Sequence, residues 1–242
     1  MSGWLLAGLC CAPVSLVAQD APLQTVDAIL AAIWQANGGR ERIDAVQSVY
    51  ATGTLQRGEE RLDLVILRKR PDLKRITVAM PGGAFHQGFD GQRSWQMQVR
   101  PDGEREVRPL EGPAKREFEA DRHFLDVLLM VPEDGLEHRL EGVEYVGRAP
   151  AYVIETLLPE KRRLAYVDSR TLRILRFEEW PREGEGEVVT IEVSDYSRVD
   201  GVWFARRVER FRPGEETVVV QFDTIELNTG LFDTVFAYPE GD

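Results

Sequence analysis

The chain has 242 residues, 43% of them apolar and 29% charged, which is enough for a sizeable core and excludes a disordered chain. Thirty basic against 41 acidic residues give a net charge of -11. That mean field repels nucleic acid and anionic membrane surfaces, so no nucleic-acid partner is expected.

Residues 4–18, WLLAGLCCAPVSLVA, form an uncharged run that ends in small residues ahead of Gln19 and Asp20. This is the apolar region and cleavage zone of a secretory signal, with cleavage expected near Ala18 or Ala21. It falls short of the ~20 residues that a membrane span needs. Both cysteines, the adjacent Cys10 and Cys11, lie within it, so export to the periplasm leaves a cysteine-free domain. No linker or repeat divides residues 22–242, and a single domain is expected there.

Val26, Ile29, Leu30, Ile33 and Trp34 fall on one stripe, and the spacing predicts an amphipathic helix over residues 22–36. Thr25 or Gln24 can cap its start, and Asn37-Gly38-Gly39 stops it. A short turn over 40–46 leads into the first strand. From Ser48 the period changes to two: Leu62, Leu64 and Ile66, then Val189, Ile191 and Val193, then Val218, Val220 and Phe222. Such alternation marks an antiparallel sheet with one face buried. Asp90-Gly91, Asp102-Gly103, Asp200-Gly201 and Pro213-Gly214 suit its hairpins. A mainly β chain of about ten or eleven strands results. One segment, 111–131, breaks the pattern. Its charged first half has helical propensity, and its second half, Phe124–Val131, is apolar nearly all round. The pattern predicts a helix ended by Pro132 and buried on more than one side, over a concave sheet and against the first helix.

Catalytic and metal constellations are missing from the sequence. His86, His123 and His138 lack the spacing of a metal pair, and no nucleophile elbow occurs. No catalytic residue, metal or cofactor is expected. Glu183, Glu185 and Glu187 read as a solvated hairpin tip. Arg206, Arg207, Arg210 and Arg212 on one strand, with Arg68-Lys69-Arg70 ending another, read as edge-strand protection. The alternative is a docking stripe for an acidic partner. Arg206 is in phase with Val202, Phe204 and Val208, so it is expected to point inward, where an arginine needs a partner or a ligand anion.

The order of elements carries a resemblance. A long helix ends in ANGG and leads to RIDAVQSVYATGTL. FDGQRSWQM, a mid-chain apolar helix and SDYSRVDGVWFARRVE follow, and LFDTVFAYP closes the series. Over residues 22–239 this resembles the outer-membrane lipoprotein-sorting proteins, the LolA-like and LolB-like periplasmic carriers. The resemblance implies an unclosed antiparallel half-barrel whose concave face is covered by lid helices and binds acyl chains, without catalytic residues. The lid and cavity residues would then be Ile29, Leu30, Ile33 and Trp34 of the first helix, Phe124, Leu125, Leu128 and Leu129 of the second, and Phe204 of the sheet. An arginine in the early strands would hold the lid closed, with Arg57, Arg61 and Arg68 as candidates. The expected function is a monomeric periplasmic carrier of lipid or lipoprotein acyl chains. The alternative is a non-enzymatic envelope sensor or assembly factor that binds a protein partner.

Overall fold

The computed structural model describes residues 23–121, 123–130, 136–159, 161–181 and 186–239. The expected signal segment therefore lies outside the described residues, as do Glu183 and Glu185.

Thr25 caps helix α1 (Val26–Ala36), its hydroxyl accepting the Ala28 N–H at 3.2 Å, which satisfies a donor the first turn leaves free. Asn37 ends the helix, and Gly38 and Gly39 both adopt φ of +88°, a conformation glycine takes without strain. A single turn, α2 (Arg40–Asp44), then delivers the chain to β1 (Ser48–Arg57).

The first meander continues with β2 (Glu60–Lys69), β3 (Leu73–Met80), β4 (Gly83–Phe89), β5 (Ser94–Val99) and β6 (Arg105–Pro109). Helix α3 (Gly112–Ala120) follows. The second meander comprises β7 (His138–Val146), β8 (Ala149–Leu157), β9 (Lys161–Asp168), β10 (Ile174–Pro181), β11 (Val189–Val199), β12 (Val202–Phe211) and β13 (Val218–Leu227). All are antiparallel in one unclosed sheet, in the order β6-β5-β4-β3-β2-β1-β13-β12-β11-β10-β9-β8-β7. The first and last strands thus pair at its centre, Val49 opposite Leu227 and Ala51 opposite Ile225. All four expected dipeptide turns join successive strands, and at Asp200-Gly201 both residues have positive φ, as a tight hairpin turn requires.

The sheet has 13 strands rather than about ten or eleven. Its edges, β6 and β7, are polar strands, REVRP and HRLEGVEYV.

Two further expectations are corrected. The mid-chain helix ends at Ala120, and residues 123–130 form an irregular strap of turns and bends. Asp126 is the cause: its carboxylate accepts the Leu128 N–H at 2.9 Å and its carbonyl the Leu129 N–H at 2.9 Å. This local turn takes the place of helical bonds. The expected stop at Pro132 lies outside the described residues. The basic residues do not protect edges either, since β2 lies between β1 and β3 and β12 between β11 and β13.

Candidate functional site

The strap and the two N-terminal helices lie on one face of the sheet, its inner face. Ile29, Leu30 and Ile33 of α1 pack with Leu128 of the strap against Tyr152 and Ile154 of β8 and Ala165 and Val167 of β9. Phe124 and Leu125 join Ile43, Val49, Val202 and Ile225 in an adjoining cluster that Phe204 flanks. Trp34 and Leu129 pack against both. The structure thus brings the expected lid and cavity residues together. Ile29 and Ile154 are 0% exposed and Leu128 is 1% exposed, so these side chains themselves fill the space between cover and sheet.

Polar bonds tie α1 and α2 to the strap. The Trp34 indole N–H donates to the Leu128 carbonyl at 2.8 Å, and Arg40 donates to the Leu129 carbonyl at 2.9 Å while lying 4.8 Å over the Trp34 ring. None of these bonds needs a charged acceptor.

Two charged clasps fasten the strap to the sheet. At its start, Asp121 accepts from Lys74 of β3 at 2.9 Å and from Arg68 of β2 at 2.8 Å. Arg68 also donates to the His123 carbonyl. Among the three early-strand arginines, Arg68 therefore reaches the strap, whereas Arg57 and Arg61 are exposed at the far hairpin. Farther along, Asp126 accepts from Arg163 of β9 at 3.2 Å, and Arg163 also donates to Glu179 of β10 at 2.7 Å. Lys161 reaches the same Glu179 at 2.8 Å.

Lys74 and Arg163 are buried, whereas 53% of the Asp121 side chain is exposed. Burial pushes the Lys74 ammonium down to about 8, against the pull of Asp121. For Asp121 burial opposes ionisation, but Lys74, Arg68 and Lys161 outweigh it and hold the carboxyl well below its usual range. Burial likewise disfavours the charged Arg163, yet Glu179 and Asp126 raise its pKa above the ordinary value. Sequence reasoning missed Lys74, Asp121, Asp126, Arg163 and Glu179 as a set. A signal was present, because Lys74 is in phase with Ile76 and Val78, and Arg163 with Ala165 and Val167. A cation on an otherwise apolar inner stripe calls for a buried counter-charge.

A cavity of about 380 Å³ opens beside this network, between α3 and strands β9–β12, with Glu117, Lys161, Glu179, Trp180, Arg210 and Arg212 among its walls. None of the expected lid residues lines it. Arg212 pairs with Glu117 of α3 at 3.0 Å, and Arg210 pairs with the same carboxylate. Arg206 finds the partners its inward phase demands, the Ser197 hydroxyl and the Asp223 carbonyl, each at 2.7 Å. The arginine stripe therefore ties α3 and neighbouring strands to β12. Among the described residues no cluster of three or more His, Cys, Asp or Glu could hold a metal, and no helix is long and apolar enough to cross a membrane.

No family model and no curated protein sequence matches the chain. Solved structures do. A DUF1329 family protein from Desulfovibrio piger is 19% identical, with 86% of this chain and 97% of that one covered and a TM-score of 0.61. A putative outer membrane lipoprotein-sorting protein domain from Vibrio parahaemolyticus is 14% identical, with 85% and 95% covered and a TM-score of 0.59. A LolA superfamily protein from Nitrosomonas europaea is 14% identical, with 89% and 98% covered and a TM-score of 0.55. With its open antiparallel sheet covered on the inner face, the chain shares the fold of these three structures.

Proposed function

We propose that the protein is an exported, periplasmic carrier that holds acyl chains of a lipid or lipoprotein between the strap and the inner face of the sheet, without catalysing a reaction. One observation carries this reading. Beside α1 and α2, the cover of an extended apolar surface is an irregular strap fastened by side chains at Asp121 and Asp126, not a strand continuous with the sheet. Lifting it leaves the sheet's own ladder intact, and apolar contact accommodates chains of varied length. In the closed form Phe124, Leu125, Leu128 and Leu129 occupy the volume that cargo would take, with Ile29, Leu30, Ile33, Trp34 and Phe204 as its walls. The lipoprotein-sorting designation of the Vibrio parahaemolyticus domain supports the reading through the shared fold.

The alternative of docking an acidic protein partner on the Arg206–Arg212 stripe draws no support from the geometry, because Glu117, Glu209 and Ser197 engage those guanidiniums.

The test is native mass spectrometry after gentle purification, together with uptake of a fluorescent fatty acid. Co-purified lipid and saturable uptake are expected, and Leu128→Glu should reduce uptake while circular dichroism keeps its β signature. A clean apo mass with no uptake by the wild type would overturn the proposal.

A further inference from the structure

The outer face of the sheet holds a second cavity that the carrier reading does not use. After β13 the chain crosses over β3–β6, and a short 3-10 turn (Asp233–Val235) begins this crossing. It is pinned there: the Trp95 indole N–H donates to the Phe236 carbonyl at 2.9 Å, Arg75 donates to the Val235 carbonyl at 2.9 Å, and Lys69 pairs with Asp233 at 2.6 Å. Phe236 is 0% exposed. Between this segment and the strands lies a cavity of about 430 Å³, within the range of small-molecule sites.

Its chemistry differs from that of the inner face. There the buried cations face carboxylates, as Lys74 faces Asp121 and Arg163 faces Asp126 and Glu179. The outer cavity is lined by Arg75 and Arg105 together with His86, and none of its described lining residues is a carboxylate. Among the described residues neither arginine pairs with an acid, although the chain carries 41 of them. A guanidinium can only donate, so the Arg75 contact to His86 Nδ1 at 3.3 Å makes that nitrogen an acceptor. The Thr77 hydroxyl engages the same nitrogen at 2.9 Å. The ring is then neutral with its proton on Nε2, a further donor. Met97, Val235 and Tyr238 supply apolar walls.

We propose that this outer-face cavity binds a small organic carboxylate, the guanidiniums of Arg75 and Arg105 and the His86 ring meeting its charge, and Met97, Val235 and Tyr238 its apolar body. The planar fork of arginine matches a carboxylate, and a low-polarity wall strengthens the pairing. The site stands on the opposite face from the proposed cargo and does not depend on it.

Benzoate is the probe, and the imidazole resonances of His86 are the readout, with His123 and His138 as internal references. Burial, Arg75 and Arg105 hold the His86 pKa down to about 4, and a bound anion offsets the guanidinium field and raises it. Benzoate should shift His86 saturably in the millimolar range and move its titration upward, while benzyl alcohol and inorganic phosphate do neither. Arg105→Gln, on an exposed edge-strand position, should weaken benzoate about tenfold, the loss of one charged hydrogen bond. A chain ended after Pro239, which lacks Glu240 and Asp242, should bind no more weakly. Absence of a saturable shift, equal binding of benzyl alcohol or phosphate, unchanged affinity in Arg105→Gln, or loss of binding in the shortened chain would each overturn the proposal.

Discussion

Arg163 of β9 donates to the Asp126 carboxylate at 3.2 Å, and through that contact the second meander holds the same strap whose Asp121 end is held by Lys74 of the first. The strap therefore bridges the two halves of the sheet on the inner face. Buried pairs of this kind contribute modestly when whole and cost much when one partner is removed, because the other charge stays buried.

Asp126→Asn isolates this clasp, since an amide oxygen can still accept the Leu128 N–H and keep the turn. The expected loss is about 1–3 kcal/mol in urea unfolding. Hydrogen exchange at the Leu128 and Leu129 amides should quicken more than exchange in β8 and β9. Equal quickening everywhere would mean that Asp126 is not a local fastener.

Asp121→Asn should carry a distinctive pH dependence. The folded carboxyl lies well below its usual range, so its stabilising contribution is present above the unfolded value of about 4 and lost as pH falls through the folded value. The variant should be less stable than the wild type at neutral pH, with the gap closing on acidification below about 4. Urea midpoints across that range check this, and a constant gap would refute it.

Much of this fold could be read from residues alone. The α1 stripe was legible because one helical face meets the sheet and the other meets water, so periodicity and packing coincide. The strap was not, because Phe124, Leu125, Leu128 and Leu129 are enclosed from several directions, and an apolar run buried that way has no period to betray its backbone. Asp126 was the local clue, a turn-former interrupting the run. The arginines of β12 were misplaced for another reason: pairing order is a long-range property, and Arg210 looks the same on an edge as beside Val218.

His86 gives an independent pH signature. Its folded pKa of about 4 lies below the ordinary 6.5, so the unfolded chain takes up a proton across that interval while the folded chain does not. Stability should therefore fall between pH 6.5 and 4. His86→Gln should flatten that decline, as read from denaturation at neutral, mildly acidic and acidic pH. An identical slope in wild type and variant would exclude the assignment.

Two glycines report close approach. A Cβ on Gly53 would lie 2.0 Å from the Gln221 carbonyl oxygen, and one on Gly88 would lie 2.3 Å from the Trp95 ring. Gly53→Ala should cost more than ~2 kcal/mol, because only backbone movement at the β1–β13 bulge relieves it. Gly88→Ala should cost about 1–3 kcal/mol and alter Trp95 fluorescence. Urea unfolding ranks the two.

The seam between β1 and β13 has a kinetic consequence. Val49 pairs with Arg68 on one side and with Leu227 on the other, so the centre of the sheet cannot close until the last strand has been synthesised. Until then β1 presents an open edge and much of the inner face lacks its opposite half. Such distant pairing makes for slow closure.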